Sequence, residues 1–360
     1  MPPLPYLAPL VAALALAACS SSFREVDAGP PDGGPGDGAV DTDTRDEAGP
    51  DTGWTLVYHD EKAEPGESLN AIWVADRDSA FAVGDNGQAV WLENGKWISL
   101  VKTKGLNFYG LWGRSSEDVY AVGRYELDQR AAIHHYDGER WFAEGPLPTD
   151  WKPLSAVWGT PTGTKRYFTS LDGTIYAHAA DKGYQLVVQT GGCPAVSDPA
   201  PVLWAIDGSS FDSALAVADD GLSAHRDHDG WVRLCHPDPT VRFRAVFSVP
   251  GTTHFYMGAN YLGLWRFTGR GDPLLKIHED RGTTGADQRH LWSIWGTSEA
   301  RILAVGDGGA LLYFDGSGGG ATLLPSPTSG ALFGVSGFDE KHVFICGEGN
   351  RIWRGELPSK

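Results

Sequence analysis

The sequence predicts an all-β fold, a seven-bladed β-propeller, and three observations lead to this prediction. A short apolar phrase, first seen as Leu69-Asn-Ala-Ile-Trp73, returns seven times along the chain. Ten residues after the last residue of each copy stands an apolar or polarisable residue, as Val83 stands ten residues after Trp73. Successive copies are spaced by roughly 39 to 49 residues, which is the period of a propeller blade.

The last positions of the seven phrases are called anchors below. They are Trp73, Trp112, Trp158, Asp207, Phe247, Trp295 and Ser336. Their partners ten residues later are Val83, Val122, Phe168, Val217, Met257, Val305 and Cys346. The chain has 14 tryptophans, and because they recur in phase with the repeat we interpret them first as structural residues.

Residues 1–18 have the features of a secretory signal peptide. Leu7 to Ala18 is apolar but too short to span a bilayer. It ends in Leu16-Ala17-Ala18-Cys19, which resembles the bacterial lipoprotein signal. That resemblance implies lipidation of Cys19, cleavage before it, and, with Ser20 next, a place in the outer membrane of a Gram-negative cell envelope. Met1 to Pro9 departs from the pattern because it carries no Lys or Arg, and an ordinary signal with a chance cysteine is the alternative.

Residues 19–53 are predicted to be an acidic, Gly/Pro-rich, disordered tether. Such a composition cannot bury enough apolar area to offset the entropy of ordering. A flexible coil of this length reaches about 30 Å, enough to hold a folded domain clear of a lipid surface. A calcium-loop reading of Asp27 to Gly38 fails, because the alternating carboxylates and closing Glu are missing.

The charge of the chain argues against nucleic acid as a partner. The formal net charge is −17, of which residues 20–53 contribute −7 through nine acids and two arginines, leaving −10 for the rest. Affinity for nucleic acid comes mainly from Lys and Arg side chains. A purely electrostatic attachment to anionic lipid is disfavoured for the same reason.

Residues 54–360 are predicted to form the propeller. In the first blade, Leu69 to Val74 is the innermost strand, Ser79 to Gly84 the second, Gln88 to Leu92 the third and Lys96 to Leu100 the outer strand. Asp85-Asn86-Gly87 and Asn94-Gly95 supply the turns, since Asn and Gly tolerate positive φ. Five large flat residues are expected at one position of the third strand. They are Trp91, Tyr176, His225, Trp265 and Tyr313.

The last copy, Leu332 to Glu356, ends after three strands. The segment Trp54-Thr-Leu-Val-Tyr58 begins with Trp, as the outer strands do, and has no repeat in front of it. We therefore predict that it closes the ring as the missing strand, which would leave no exposed sheet edge at the junction.

The repeats resemble those of the BNR/kelch/WD40-YVTN-like superfamily of bacterial propellers. Leu111-Trp-Gly113, Asp118-Val-Tyr-Ala-Val-Gly123, Ile294-Trp-Gly296 and Ala304-Val-Gly-Asp-Gly-Gly309 carry this resemblance. It implies the propeller architecture but no activity. A sialidase-type box is missing, and Ser170-Leu-Asp172-Gly173 comes nearest with its glycine one place early.

No residue is assigned a catalytic, metal-ligating or cofactor-binding role from the sequence. A Cys193–Cys235 disulfide is reasonable in an exported protein, and Cys346 is expected to be a buried thiol. The histidines have no ligand spacing, and Asp227-His228-Asp229 is interpreted as a solvated turn. The histidines considered were His134, His135, His225, His228 and His236.

The favoured function is a lipid-anchored propeller, facing the cell surface or the periplasm, that binds an envelope protein or a glycan without catalysis. The alternative is a glycan-acting hydrolase or lyase with paired carboxylates in the central funnel. A purely structural envelope component is the third hypothesis. The loops that vary most between copies are the candidate contacts: Arg124 to Arg130, Pro161 to Arg166, Gly191 to Pro201 and Thr268 to Arg289.

Overall fold

The computed structural model describes residues 52–160, 162–191, 193, 201–210, 212–269, 272–281 and 288–359. The predicted signal peptide (1–18), Cys19 and nearly all of the predicted tether (19–53) lie outside the described residues. In the described ranges the regular structure is β-strand, with a few three-residue 3-10 turns. These ranges contain no helix of sufficient length and apolarity to cross a bilayer.

The described strands group into seven blades. Blade 1 is β2 (Leu69–Val74), β3 (Ala80–Gly84), β4 (Ala89–Glu93) and β5 (Lys96–Val101). Blade 2 is β6 (Leu106–Ser115), β7 (Asp118–Tyr125), β8 (Ala131–Tyr136) and β9 (Trp141–Ala143). Blade 3 is β10 (Leu154–Gly159), β11 (Lys165–Ser170), β12 (Thr174–Ala179) and β13 (Gly183–Gln189). Blade 4 is β14 (Leu203–Ser210), β15 (Ser213–Ala218), β16 (Leu222–Asp227) and β17 (Gly230–Cys235).

Blade 5 is β18 (Phe243–Ser248), β19 (Phe255–Ala259), β20 (Leu264–Phe267) and β21 (Leu275–His278). Blade 6 is β22 (Leu291–Ser298), β23 (Arg301–Gly306), β24 (Leu311–Phe314) and β25 (Thr322–Leu323). Blade 7 is β26 (Leu332–Asp339), β27 (His342–Gly347), β28 (Arg351–Gly355) and the early strand β1 (Trp54–His59). Each blade is an antiparallel sheet whose strands follow one another in order.

The blades form a closed ring. The first strand of each blade packs against the first strand of the next, and β26 of blade 7 packs against β2 of blade 1. The predicted fold class, an all-β seven-bladed propeller, is therefore confirmed. Its seven first strands surround the axis of the ring, and this axial region is called the central channel below.

The strand that closes the ring is the one predicted from the sequence. β1 pairs antiparallel with β28, from Trp54 opposite Gly355 to His59 opposite Arg351. The indole of Trp54 lies flat on Gly355, where an added Cβ would come within 2.6 Å of the ring. The two ends of the described propeller thus share one sheet.

The turns of blade 1 have the backbone geometry that their residues predict. Asn86 and Gly87 have φ of 52° and 62°, and Asn94 and Gly95 have φ of 50° and 77°. These values lie in the left-handed region, which Asn and Gly enter at little cost.

The ten-residue partners form the most deeply buried layer of the ring. All seven are at most 1% exposed, and each sits on the second strand of its blade. Cys346 is among them, and burial raises the pKa of its thiol well above the usual range. The periodic signal in the sequence therefore marks the packing between neighbouring blades.

The anchors contact the following blade. An added Cβ on Gly113 would lie 2.5 Å from the ring of Trp73, so the indole rests on that glycine. Trp112, Trp158 and Trp295 lie in the same way on Gly159, Gly208 and Gly337. Where the anchor is polar, its side chain instead accepts a hydrogen bond from the backbone of the following blade. Asp207 accepts one from the Ser248 N–H at 2.7 Å, and the Ser336 hydroxyl accepts one from the Val74 N–H at 3.1 Å.

The expectation of a single position for five third-strand residues is wrong. Trp91, His225 and Tyr313 pair with second-strand residues eight positions after an anchor, whereas Tyr176 and Trp265 pair with the ten-residue partners themselves. The two positions are two residues apart on one strand, so the side chains still share a face of the sheet. Different turn lengths between the second and third strands cause the shift.

Candidate functional site at the mouth of the central channel

The two faces of the ring differ in the connections that they carry. In each blade the turn from second to third strand and the link to the next blade lie at the end where the first strand begins. We call this end the mouth face. The turns from first to second and from third to fourth strand lie at the other end, which we call the rear face.

Within the first strands, the seven copies carry side chains of similar size at the position two residues before the anchor. Two residues before each anchor stands a small residue: Ala71, Gly110, Ala156, Ala205, Ala245, Ser293 or Gly334. Small residues are needed here because the first strands meet closely. An added Cβ on Gly110 would lie 2.7 Å from the Cα of Ala156 in the next blade.

Three residues before each anchor, the seven copies carry side chains that differ in size, charge and polarity. These positions are Asn70, Tyr109, Ser155, Trp204, Arg244, Trp292 and Phe333, and all but Ser155 are half-buried. They lie near the start of the first strands and so surround the mouth of the channel. Blades 4 to 7 supply an arc of Trp, Arg, Trp and Phe, which we call the mouth arc.

The side chains at this position are braced by the residue fifteen positions later, at the end of the second strand. The Nε1–H of Trp204 donates to Asp219 at 3.2 Å, and that of Trp292 donates to Asp307 at 2.6 Å. Asn70 donates to Asp85 at 3.0 Å. In each case the acid opens a three-residue turn that ends in glycine. The turn aspartates thus orient the mouth residues.

Within the mouth arc the groups are in direct contact. The Arg244 guanidinium carbon lies 4.0 Å from the ring centroid of Trp204 and 5.3 Å from that of Trp292. The two indoles are themselves 6.0 Å apart, and Phe333 meets Trp292 edge-on at 6.0 Å. Cations over indole faces are attracted by the ring quadrupole, more strongly where water is excluded.

Arg244 departs from the bracing pattern of its neighbours. The residue fifteen positions later is Ala259, so its own blade provides no acid. The Nη2 of Arg244 instead lies 3.0 Å from the Oδ1 of Asp219, across the boundary with blade 4. The side chain is only 10% exposed, and its Nε and Nη1 are buried without a hydrogen-bond acceptor among the described residues.

Burial and hydrogen bonds shift the protonation of these groups. Desolvation lowers the pKa of the Arg244 guanidinium. Burial by itself would raise the pKa of Asp307, but hydrogen bonds from His290 and Trp292 outweigh it and lower that pKa. Asp307 is therefore ionised at neutral pH and acts as an acceptor, whereas a glycosidase general acid needs a raised pKa.

The variable loops singled out in the sequence do not all lie on one face. Arg124 to Arg130 follows a second strand and lies on the mouth face, where Leu127 is 99% exposed. Lys165 and Arg166 follow a first strand and lie on the rear face. Gly191 to Pro201 lies between blades 3 and 4 in the sequence, and only Gly191, Cys193 and Pro201 of it belong to the described residues. The described parts of Thr268 to Arg289 flank β21 and belong to both faces.

The two cysteines considered for a disulfide are joined in the structure. The sulfur atoms of Cys193 and Cys235 are bonded, with a sequence separation of 42 residues. Cys193 precedes blade 4 and Cys235 ends its outer strand. The bridge therefore ties the link between blades 3 and 4 to the rim of blade 4. Cys19, the proposed lipidation site, lies outside the described residues.

The histidines are dispersed among packing and surface positions. Burial lowers the pKa of His134 to about 4, which keeps its imidazole neutral. His135 hydrogen-bonds Asp118 at 2.8 Å, and His225 lies edge-on to Phe267. His236 bonds the backbone of Asp238.

Among the described residues, Asp227, His228 and Asp229 are the group with potential metal-ligand atoms within 4.8 Å of one another. They form an exposed hairpin turn on the rear face, in which His228 is 82% exposed. Exposed acidic turns of this kind are common without an ion.

The rear face carries an open concavity of about 640 Å³. Its walls include Arg77, Trp91, Glu93 and Phe338. Arg77 pairs with Asp339 at 3.4 Å, and Phe338 is 48% exposed. The concavity is formed by turn and strand-end residues of blades 1, 2 and 7, and it provides a comparison site for the mouth face.

The mouth arc was not predicted from the sequence. The residues that all copies of the repeat share indicate packing, whereas the mouth arc occupies a position at which the copies differ. Two signals could have revealed it: the change from uniform to diverse residues three positions before the anchors, and the acid fifteen positions after Asn70, Trp204 and Trp292.

No known family model and no curated protein matches this sequence. Solved structures do match in fold. YCF48 bound to D1 peptide is 14% identical, with a TM-score of 0.61 over 85% of this chain and 96% of that chain. The WD40 repeats of RRP9 are 12% identical, with a TM-score of 0.67 over 86% and 98%. A streptogramin B lyase structure is 13% identical, with a TM-score of 0.67 over 85% and 98%.

These similarities define the class of protein as a seven-bladed β-propeller with WD40-like neighbours. At such identities they establish the fold alone. The class includes a peptide-bound protein and a lyase, so function has to be argued from the site.

Proposed function

We propose that this protein is a non-catalytic binding protein of the cell envelope that holds a segment of a partner protein at the mouth of its channel. The observation that carries the proposal is the change in residue type between two neighbouring positions of the first strands. Two residues before the anchors all seven copies are small, whereas three residues before them four adjacent blades present the mouth arc. Aromatic residues and Arg are the side chains most enriched at protein interfaces.

The similarity to YCF48 bound to D1 peptide supports a peptide segment as the ligand, since that propeller is known with a peptide. The exposed Leu127, in a turn of blade 2, adds apolar surface to the same face. A glycan partner and a glycan-acting hydrolase remain the alternatives from the sequence. The ionised, hydrogen-bonded state of Asp307 favours binding over acid catalysis at this site.

We further propose that the propeller is attached to the outer membrane through a lipid on Cys19. The support is the tetrapeptide Leu16-Ala17-Ala18-Cys19 followed by Ser20 and by the acidic Gly/Pro-rich segment. In this arrangement the tether lets the ring meet a partner away from the lipid surface.

Two phenylalanines on one strand test which face binds. Phe333 begins β26 in the mouth arc, and Phe338 lies near its other end in the rear concavity. Envelope extract is passed over immobilised wild-type, Phe333→Ala and Phe338→Ala protein, and the retained proteins are identified by mass spectrometry. We expect a partner that Phe338→Ala retains and Phe333→Ala loses at least tenfold, because interface aromatics carry much of the binding energy.

The opposite pattern, loss with Phe338→Ala alone, would move the site to the rear face. Equal retention by all three proteins would contradict a site at either place. Circular dichroism melts of both variants are the control, since both substitutions remove the same side chain from the same strand.

A further inference from the structure

Arg244 has hydrogen-bonding capacity that its own chain does not use. Among the described residues one carboxylate lies within ion-pair distance of its guanidinium, that of Asp219, which meets Nη2 at 3.0 Å. The Nε and Nη1 donors are buried and have no acceptor there. Buried donors nearly always have an acceptor in folded proteins. Two donors without one, at the mouth of the channel, therefore point to an acceptor on a bound ligand.

The surroundings restrict what that acceptor can be. Arg244 lies over the ring of Trp204 and beside that of Trp292, so the group that reaches it must be small or planar and must tolerate apolar contact. Asp219 lies 3.0 Å from it and the charge of Asp307 also acts on it, so repulsion from two carboxylates disfavours a doubly charged phosphate. A singly charged carboxylate fits this balance.

The overall charge restricts the source of the carboxylate. The sequence after residue 53 has a net charge of −10, which repels a run of acidic residues. A single carboxylate on an otherwise neutral peptide avoids most of this repulsion. Such a group is either the C-terminal carboxylate of a chain or one Asp or Glu side chain.

We propose that the mouth arc recognises one peptide carboxylate, which accepts hydrogen bonds from the unused donors of Arg244 while the indoles of Trp204 and Trp292 pack against the adjoining atoms. This inference rests on the proposed function, because it assigns the chemistry of the peptide bound at the mouth. Both donors are covered in the unbound chain. Binding therefore requires an indole to move, and Trp292, the more distant of the two, is the one expected to do so.

Three acetylated random tetrapeptide libraries test the inference. The first lacks Asp and Glu and has a free C-terminal carboxylate. The second lacks Asp and Glu and is amidated, and the third is amidated but contains Asp and Glu. Each is passed over the immobilised mature protein at low ionic strength. We expect at least tenfold greater retention of the first or the third library than of the second, and the one retained identifies the source of the carboxylate.

Arg244→Gln should abolish this preference by removing the charge. Arg242→Gln is the matched control, since Arg242 lies two residues earlier, is exposed, and should leave the preference unchanged. If Arg244→Gln fails to fold, the comparison of libraries on wild-type protein still decides. A change in tryptophan fluorescence on binding of the preferred library, reduced in Trp292→Phe, should accompany retention.

Equal retention of all three libraries would overturn the carboxylate inference and leave peptide binding at the mouth intact. Retention of none would also overturn it. In that case the Phe333→Ala and Phe338→Ala comparison decides separately whether the proposed function falls as well.

Discussion

At the level of single residues, four of the glycines that follow the anchors lie against a tryptophan of the preceding blade, which leaves no space for a side chain there. Gly113 receives the ring of Trp73, and Gly208 receives that of Trp158. Where the anchor is Asp207 or Ser336, the residue at the receiving position is Ser248 or Val74 and carries a side chain. The two positions therefore depend on each other across every one of these blade boundaries.

A double-mutant cycle tests this dependence. Gly113→Ala should lower the free energy of unfolding by about 1–3 kcal/mol, because the added methyl would lie 2.5 Å from the indole of Trp73 and would force it out of its packed position. Trp73→Ala alone should cost about 3–5 kcal/mol. In the Trp73→Ala background the glycine substitution should become nearly neutral. Gly318→Ala, with nothing within 4 Å of the added methyl, is the control, and additive losses would contradict the contact.

Asp207 should make stability depend on pH. Desolvation raises the pKa of this carboxyl to about 7, although two backbone N–H groups bond its charged form. The folded chain therefore holds a proton that the unfolded chain, with an Asp pKa of about 3.9, releases. The stabilisation is present below pH 4 and is lost as the pH rises through about 7.

The expected loss through this group is at most about 4 kcal/mol, since one pKa unit corresponds to about 1.4 kcal/mol. Asp207→Asn cannot titrate, so denaturant unfolding at pH values from 4 to 8 should show a flatter pH dependence than wild type. The comparison uses the slope, because the amide also changes the hydrogen bonds at every pH. Parallel curves would show that Asp207 is ionised throughout.

At the level of elements, the closing strand β1 joins distant parts of the chain. Its removal leaves β28 as an exposed edge and uncovers Gly355. Deletion of residues 54–59 should lower Tm by about 10 °C, as expected for a loss of roughly 3–5 kcal/mol. It should also promote aggregation through the free edge. An equal deletion of residues 32–37 in the predicted tether is the control, and equal Tm values for the two deletions would contradict closure by β1.

The Cys193–Cys235 bridge should stabilise the link between blades 3 and 4. For a separation of 42 residues the chain-entropy treatment gives about 4 kcal/mol. A thermal melt with and without dithiothreitol should show a lower Tm for reduced wild-type protein. The Cys193→Ser/Cys235→Ser variant should melt at that lower temperature and ignore the reductant. A response to reductant in this variant would assign the effect to another thiol.

At the level of the whole molecule, the proposed attachment depends on two residues near the start of the chain. Wild-type protein should partition into the detergent phase of Triton X-114, whereas Cys19→Ser should remain in the aqueous phase. By the resemblance to lipoprotein signals, Ser20→Asp should move the protein from outer-membrane to inner-membrane fractions in a density gradient. Ser21→Ala is the control. Detergent partitioning of Cys19→Ser would rule out a lipid on that residue.

The sequence by itself determined the architecture of this protein. The constant ten-residue spacing between Trp73 and Val83, and in six further copies, reflects two paired strands of fixed length. Because each pair is formed by strands that are neighbours in the chain, the same spacing recurs in the sequence of every blade. Closure by Trp54 to Tyr58 followed from counting strands. The position of the five third-strand aromatics was misjudged because turn lengths vary between blades.

Only the tertiary structure brought together the residues of the proposed binding site. Trp204, Arg244, Trp292 and Phe333 belong to four separate copies, 40 to 48 residues apart, and the circular arrangement alone makes them neighbours. The pairing of Arg244 with Asp219, across a blade boundary, breaks the repeat that the sequence displays. A repeat records the contacts that every blade makes alike, whereas a binding site at the axis is built from the residues in which the blades differ.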